Sequence, residues 1–180
     1  MPSLFQQLNE AAGPRGVKFL VIGGHAVIEH GYQRGTEDAD ILISKSDRAT
    51  WMEIVAACGY TFVHDGGVFL QFKPDDVVGA DRWDLDLMLV APEVFQRLLS
   101  SAEPARIEGA AIIIPSLEHL IALKAHALKN GKGLRVLKDM TDVAELLKFR
   151  QVDPKSPWLK TVFEKYGDTQ SYERIIQLLA

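Results

Sequence analysis

Between Val21 and Ser44 the chain reads VIGGHAVIEHGYQRGTEDADILIS. An apolar run ends at Gly23-Gly24. Further on, Arg34, Thr36, Asp38 and Asp40 stand two apart and lead straight into the apolar Ile41-Leu42-Ile43. Side chains two apart on an extended chain point the same way. A strand over Arg34 to Ile43 therefore projects Arg34, Thr36, Asp38 and Asp40 from one face and turns Glu37 to the other. Carboxylates this close repel, and one tends to hold a proton unless something positive sits between them. A hard divalent cation is the usual remedy, because Mg²⁺ takes carboxylate oxygens and substrate phosphates together.

The rest of the chain supplies the frame for this strand. Leu4 to Ala12 reads as a short amphipathic helix closed by Gly13-Pro14, and Val17 to Ile22 suits a buried strand. Gly23-Gly24 breaks that strand, and Ala26 to His30 has helical spacing ending at Gly31. After the acidic strand, Ser46 or Asp47 can cap a helix with Trp51, Ile54, Val55 and Cys58 on one face. Tyr60–Val63 and Val68–Phe72 flank Asp65-Gly66-Gly67, a hairpin signal. Residues 75–80 read as a loop. Arg82 to Val90 is another strand, with Asp84, Asp86 and Met88 on one face and Leu85, Leu87 and Leu89 on the other. Pro92 opens a helix, and Arg106 to Ile114 forms a small strand pair about Gly109. From Leu117 the pattern turns helical, over Leu117–Lys129, Leu137–Phe149, a helix from Ser156-Pro157 to Gly167, and Ser171–Leu179. The expected fold class is α/β (α+β), a short mixed sheet backed by helices with a C-terminal helical bundle. The expected division is residues 1–115 as a core and 116–180 as a helical region packed on it.

Composition narrows the functions. The formal net charge of -4 gives no global basic field of the kind that marks nucleic-acid binders. The single cysteine, Cys58, excludes an internal disulfide and a Cys-rich zinc site. The N-terminal MPSLFQQLNEAAG lacks a basic region and a long apolar core, so it does not read as a signal peptide. No apolar run approaches the roughly 20 residues that span a bilayer. The expectation is a cytoplasmic protein with no membrane partner. No Gly-x-Ser-x-Gly elbow or Walker-type loop is present.

The remaining candidates each have a structural alternative. Acidic residues at the head of a strand are often solvated edge charges. A Gly-Gly turn before a helix offers free N–H groups and close backbone approach to a phosphate, but many turns use Gly-Gly. His25 can touch a phosphate or a base, or stand as a partly buried structural residue. Arg34 can neutralise phosphate or pair with Asp38. Lys124 lies on an otherwise apolar helical face, to reach a phosphate or to snorkel. Asp139 and Asp142 suit the first turn of a helix. Lys129, Lys132, Arg135 and Lys138 form a local basic run, able to hold a triphosphate or an acidic acceptor such as RNA.

Gly-Gly followed by Arg-x-Thr-x-Asp-x-Asp at the head of an apolar strand resembles the signature of the polymerase-beta-like nucleotidyltransferase superfamily, most closely its AbiEii-like and minimal nucleotidyltransferase members. The resemblance covers Val17 to Leu147. It implies a nucleotidyltransferase fold and transfer of a nucleoside monophosphate from an NTP to an acceptor hydroxyl of tRNA, protein or a small molecule. It implies two Mg²⁺ (or Mn²⁺) ions on Asp38, Asp40 and a third carboxylate on a later strand. Leu85-Asp86-Leu87-Met88 resembles the family's pattern better than Asp84, which stays the alternative. Gly23 and Gly24 are implied to cradle phosphate, although the superfamily more often has Gly-Ser there. Arg34 and Thr36, on the same strand face, are further nucleotide candidates. Lys138-Asp139-Met140-Thr141-Asp142 resembles the family's Lys-Asp-x-x-Asp, preceded by a lysine in the previous helix, so Lys124 and Lys138 are implied to face the nucleotide. An antitoxin partner or a homodimer also follows from the resemblance. The rivals are a glycosyltransferase using Asp-x-Asp and a catalytically degenerate partner module.

Overall fold

The computed structural model describes residues 2–75 and 83–179. Arg82 and most of the expected 75–80 loop lie outside the described residues. The chain divides into two compact units, Met1–Ala26 with Gly35–Pro115, and Val27–Arg34 with Ser116–Ala180.

The first unit is built on a mixed sheet. Helix α1 (Leu4–Ala12) is started by a capping box: the Gln6 amide N–H donates to Ser3 Oγ, and the Ser3 amide N–H donates to Gln6 Oε1 at 2.8 Å. Each such cap stabilises a helix by about 1 kcal/mol. Strand β1 (Phe19–Val21) is followed by α2 (Gly23–Glu29), and the chain leaves this unit after Ala26. It returns for β2 (Asp38–Ser44), α3 (Arg48–Ala57), β3 (Tyr60–Asp65), β4 (Phe69–Pro74), β5 (Asp84–Val90) and α4 (Pro92–Ser100). The sheet order is β1-β2-β5-β4-β3. Only β2 and β5 run parallel; the other neighbours are antiparallel. Strand β2 is buried on both faces from Ile41 to Ser44, as a central strand requires. Trp51 is wholly buried and meets Phe19 edge-on, with ring centroids 5.4 Å apart. A separate hairpin joins β6 (Glu103–Ile107) and β7 (Ala110–Ile114) through Glu108 and Gly109, both at positive φ. That backbone matches the right-handed twist of the strands it connects.

The second unit is helical: α5 (Leu117–Asn130), α6 (Leu134–Phe149), α7 (Pro157–Tyr166) and α8 (Thr169–Leu179). Its core gathers Ile121, Ala125, Val143, Leu147, Phe163 and Ile175. Within this unit Gly31, at φ 116, lies where a Cβ would run into the Phe149 ring.

Two expectations change. The acidic strand begins at Asp38 rather than Arg34, because Arg34 is drawn into the second unit. The shared strand face therefore extends over Asp38 and Asp40 only. Helix α6 begins at Leu134 rather than Leu137, so Asp139 and Asp142 sit beyond its first turn and are buried instead of capping it. None of the described helices is long and apolar enough to cross a membrane.

Candidate active site

Pairing of β2 with β5 brings four aspartates together on one sheet face. The register sets Asp38 beside Asp84 and Asp40 beside Asp86. Neighbouring strands are about 4.8 Å apart, so each pair sets two aspartate backbones side by side at about that spacing. In β5 the alternation decides which residues face out: Leu85 and Leu87 are fully buried, and Asp84 and Asp86 are half-buried on the other side. Ala39 plays the same part in β2, buried between exposed Asp38 and half-buried Asp40.

Strand β4 then distinguishes the two pairs. Gln71 stands opposite Asp86, with its Nε2 donating to Asp86 Oδ2 at a long 3.5 Å. Lys73 Nζ lies 3.8 Å from Asp84 Oδ2, with both side chains about half exposed or more. The face thus carries an inner row of Asp40, Asp86 and Gln71 and an outer row of Asp38, Asp84 and Lys73. Asp84 has a lysine beside it, whereas the contact to Asp86 from β4 is a neutral amide. Gln71 and Lys73 were not singled out in the sequence. Their period of two was visible, but only strand pairing shows which face they share.

Gly23 closes the inner row from the side. It has φ 61, and a Cβ on it would collide with the Asp40 carboxylate. The absence of a side chain is what lets Asp40 lie against the start of α2. The Ile22 amide N–H donates to the Asp40 carbonyl at 2.9 Å and ties the turn to β2. Gly24 follows in the first turn of α2. His25 is buried among Phe5 and Trp83, its ring centroid 4.4 Å from that of Trp83, in keeping with a structural residue. Thr36 precedes the strand and donates from Oγ1 to the Asp38 carbonyl at 3.2 Å.

The other expected residues lie in the second unit. Arg34 forks onto Asp142, Nε to Oδ1 at 2.7 Å and Nη2 to Oδ2 at 2.9 Å. Lys124 Nζ bridges Asp139 Oδ1 at 2.6 Å and Asp142 Oδ2 at 2.7 Å. Asp142 is 1% exposed, so Arg34, Lys124, Asp139 and Asp142 meet in a buried ionic cluster. Lys138 is exposed on α6.

The donor set on the sheet is carboxylate oxygen throughout, the chemistry of Mg²⁺ or Mn²⁺ rather than of zinc. Among the described residues no three Asp, Glu, His or Cys side chains already converge as a metal-holding group. The carboxylates stand as neighbouring pairs on adjacent strands.

This architecture is shared with known enzymes. The structure matches the antibiotic-resistance factor ANT(2'')-Ia in complex with adenylyl-2''-tobramycin at a TM-score of 0.61, over 98% of this chain and 97% of that one, with 15% identity. It matches an antigenic nucleotidyltransferase-like protein from Paracoccidioides brasiliensis at 0.57, over 96% and 83%, with 16% identity. The lincomycin-bound lincosamide antibiotic adenylyltransferase LnuA matches at 0.53, over 76% and 92%, with 14% identity. At such identities the likeness is one of fold, and the fold is that of the nucleotidyltransferases. The chain belongs to the family described as "Nucleotidyl transferase of unknown function (DUF2204)", whose model matches residues 3–175, and is an enzyme of that class. No curated protein matches the sequence.

Proposed function

We propose that the enzyme transfers a nucleoside monophosphate from an NTP to an acceptor hydroxyl with the help of divalent metal. The observation that carries this reading is the register of β2 against β5, which aligns Asp40 with Asp86 and Asp38 with Asp84. Asp38, Asp40 and Asp86 are the proposed ligands of two Mg²⁺ or Mn²⁺ ions. When bound, the ions neutralise the triphosphate and polarise the phosphorus under attack. The acceptor oxygen bonds to the α-phosphorus, the bond to the bridging oxygen breaks, and pyrophosphate leaves. Asp86 takes the proton from the acceptor hydroxyl. Its place opposite Asp40, in the inner row, favours it over Asp84, which stands in the outer row opposite exposed Asp38.

Gly23, Gly24 and Thr36 are the proposed phosphate contacts, since the two glycines that open α2 have no side chain to hold a nucleotide off. Arg34, Lys124 and Lys138 complete the proposed nucleotide contacts, each from its own setting in the second unit. Arg34 and Lys124 neutralise the buried Asp139 and Asp142, and Lys138 stands among other exposed cations. Residues 1–115 supply the catalytic carboxylates in this reading, and 116–180 a helical region. Placement within the AbiEii-like branch belongs to the same proposal. So do a cytoplasmic setting, an antitoxin partner or homodimer, and an acceptor drawn from tRNA, protein or small molecules.

Calorimetric titration of the four NTPs in Mg²⁺ tests the reading, on the native chain and on Asp38→Asn/Asp40→Asn. Metal-dependent binding of at least one NTP that vanishes in the double variant is expected. No binding, or equal binding to both proteins, overturns the assignment and favours a degenerate partner module.

A further inference from the structure

Helix α6 carries an apolar pair on its outer face. Leu134 is 83% exposed and Leu137 59%. They are three residues apart and so are neighbours on one side of the helix. Further along the helix, Met140, Val143 and Leu147 are committed to the core of the second unit. Exposed leucines set side by side mark contact surfaces more than leucines scattered singly.

Cations surround this pair. Residues 129–138 contain Lys129, Lys132, Arg135 and Lys138 and no acidic residue, on a chain whose net charge is -4. All four are exposed, and among the described residues none of them forms an ion pair or side-chain hydrogen bond. The carboxylates next in sequence, Asp139 and Asp142, are already held by Lys124 and Arg34.

The start of α6 adds to the positive field. Its N-cap is Gly133, at φ 63, with no side chain to accept from the first amides, and its first turn contains no acidic residue. The partial positive charge of a helix N-terminus favours anions, yet here it meets Arg135 and Lys132. An uncompensated positive end next to two exposed leucines is complementary to a surface that is both acidic and apolar.

We infer that the N-terminal half of α6, centred on Leu134 and Leu137, docks an acidic amphipathic helix of a partner protein. The leucines form the apolar centre and Lys132, Arg135 and Lys138 the charged rim, the division found in protein interfaces. Nucleic acid meets the charge but leaves the leucines without a partner, since bases stack on aromatic and guanidinium planes. An anionic membrane also meets the charge, but an interfacial helix needs a broad apolar face, and α6 buries all but a narrow one.

Fluorescence anisotropy on the full chain tests the inference with four labelled probes. They are a Glu-rich helical peptide with leucines at i, i+3, i+4 and i+7, a scrambled peptide of the same composition, an RNA hairpin, and phosphatidylserine vesicles. The patterned peptide is expected to bind at least about tenfold more tightly than the scrambled one. Leu134→Ser/Leu137→Ser and Lys132→Ser/Arg135→Ser are each expected to weaken it by a similar factor. These positions are exposed, and circular dichroism checks that both variants keep the fold. Failure of the patterned peptide to bind, or equal binding of both peptides, overturns the inference. So does tighter binding of RNA or vesicles that only the charge variant weakens. None of these outcomes depends on the carboxylate assignments, so failure here leaves the transfer reaction standing.

Discussion

Gly23 holds its place for two separate reasons: a left-handed φ of 61, and an Asp40 carboxylate where its Cβ would be. Gly23→Ala is expected to cost about 1–2 kcal/mol from the backbone alone, read as a lower urea midpoint, and to reduce NTP binding by displacing Asp40. The aspartates themselves separate by row. Asp86→Asn is expected to weaken Mn²⁺ binding, followed by paramagnetic resonance, by more than the roughly 10–100-fold typical of groups that only support a ligand. Asp84→Asn is expected to stay within a few-fold, because Asp84 stands in the outer row opposite exposed Asp38. Equal losses in the two variants would show that the rows do not distinguish them. Asp65 offers a pH test. The Gly67 amide N–H and the Arg48 guanidinium hold its carboxyl below its ordinary value. A depressed carboxyl stabilises the fold above its unfolded pKa, and that contribution is lost as pH falls through the folded one. The gap in urea midpoint between native protein and Asp65→Asn should therefore be present near neutral pH and close in acid, below about pH 4.

At the scale of elements, three helical-unit segments meet in one cluster: Arg34 from the 27–34 stretch, Lys124 from α5, and Asp139 and Asp142 from α6. Removing one partner of a buried ion pair leaves a desolvated charge behind, at a cost of about 3–5 kcal/mol. Asp142→Ala exposes two cations to that cost, and its urea midpoint is expected to fall accordingly. Lys148→Ala, exposed on the same helix, should change stability by less than about 0.5 kcal/mol. A comparable loss in both would remove the special standing of the cluster. The sequence made this cluster hard to read. Lys124 stood out as a cation on an apolar face, and Asp142 as one acid among several. That each answers the other needs α5 packed on α6. Strand β2 teaches the same lesson. The period-two spacing from Arg34 to Asp40 is consistent with one long strand, but a strand continues only where a neighbour pairs with it, and β1 and β5 begin pairing near Ile41 and Asp38.

For the whole molecule, charge sets the terms of nucleotide binding. The chain is net -4, and its candidate active face presents four aspartates. A triphosphate brought to that face is repelled unless cations accompany it. Removing divalent ions with EDTA is expected to abolish NTP binding in the calorimeter, with recovery on adding excess Mg²⁺. NTP binding that persists in EDTA would mean that the nucleotide sits elsewhere.

The sequence by itself determined much of the local structure. Period-two and helical spacing, glycine turns and proline starts fixed nearly every element, including β5 with its alternating leucines and aspartates. It also singled out Asp38, Asp40, Asp84 and Asp86, because carboxylates spaced by two on an apolar strand are unusual enough to be seen. These are local properties, set by neighbours along the chain. Which carboxylates stand side by side, which of them meets Lys73 and which Gln71, and where Arg34 spends its charge are pairings between segments far apart in sequence. Only strand register and helix packing decided those, because a side chain's partner is chosen by the space it is folded into.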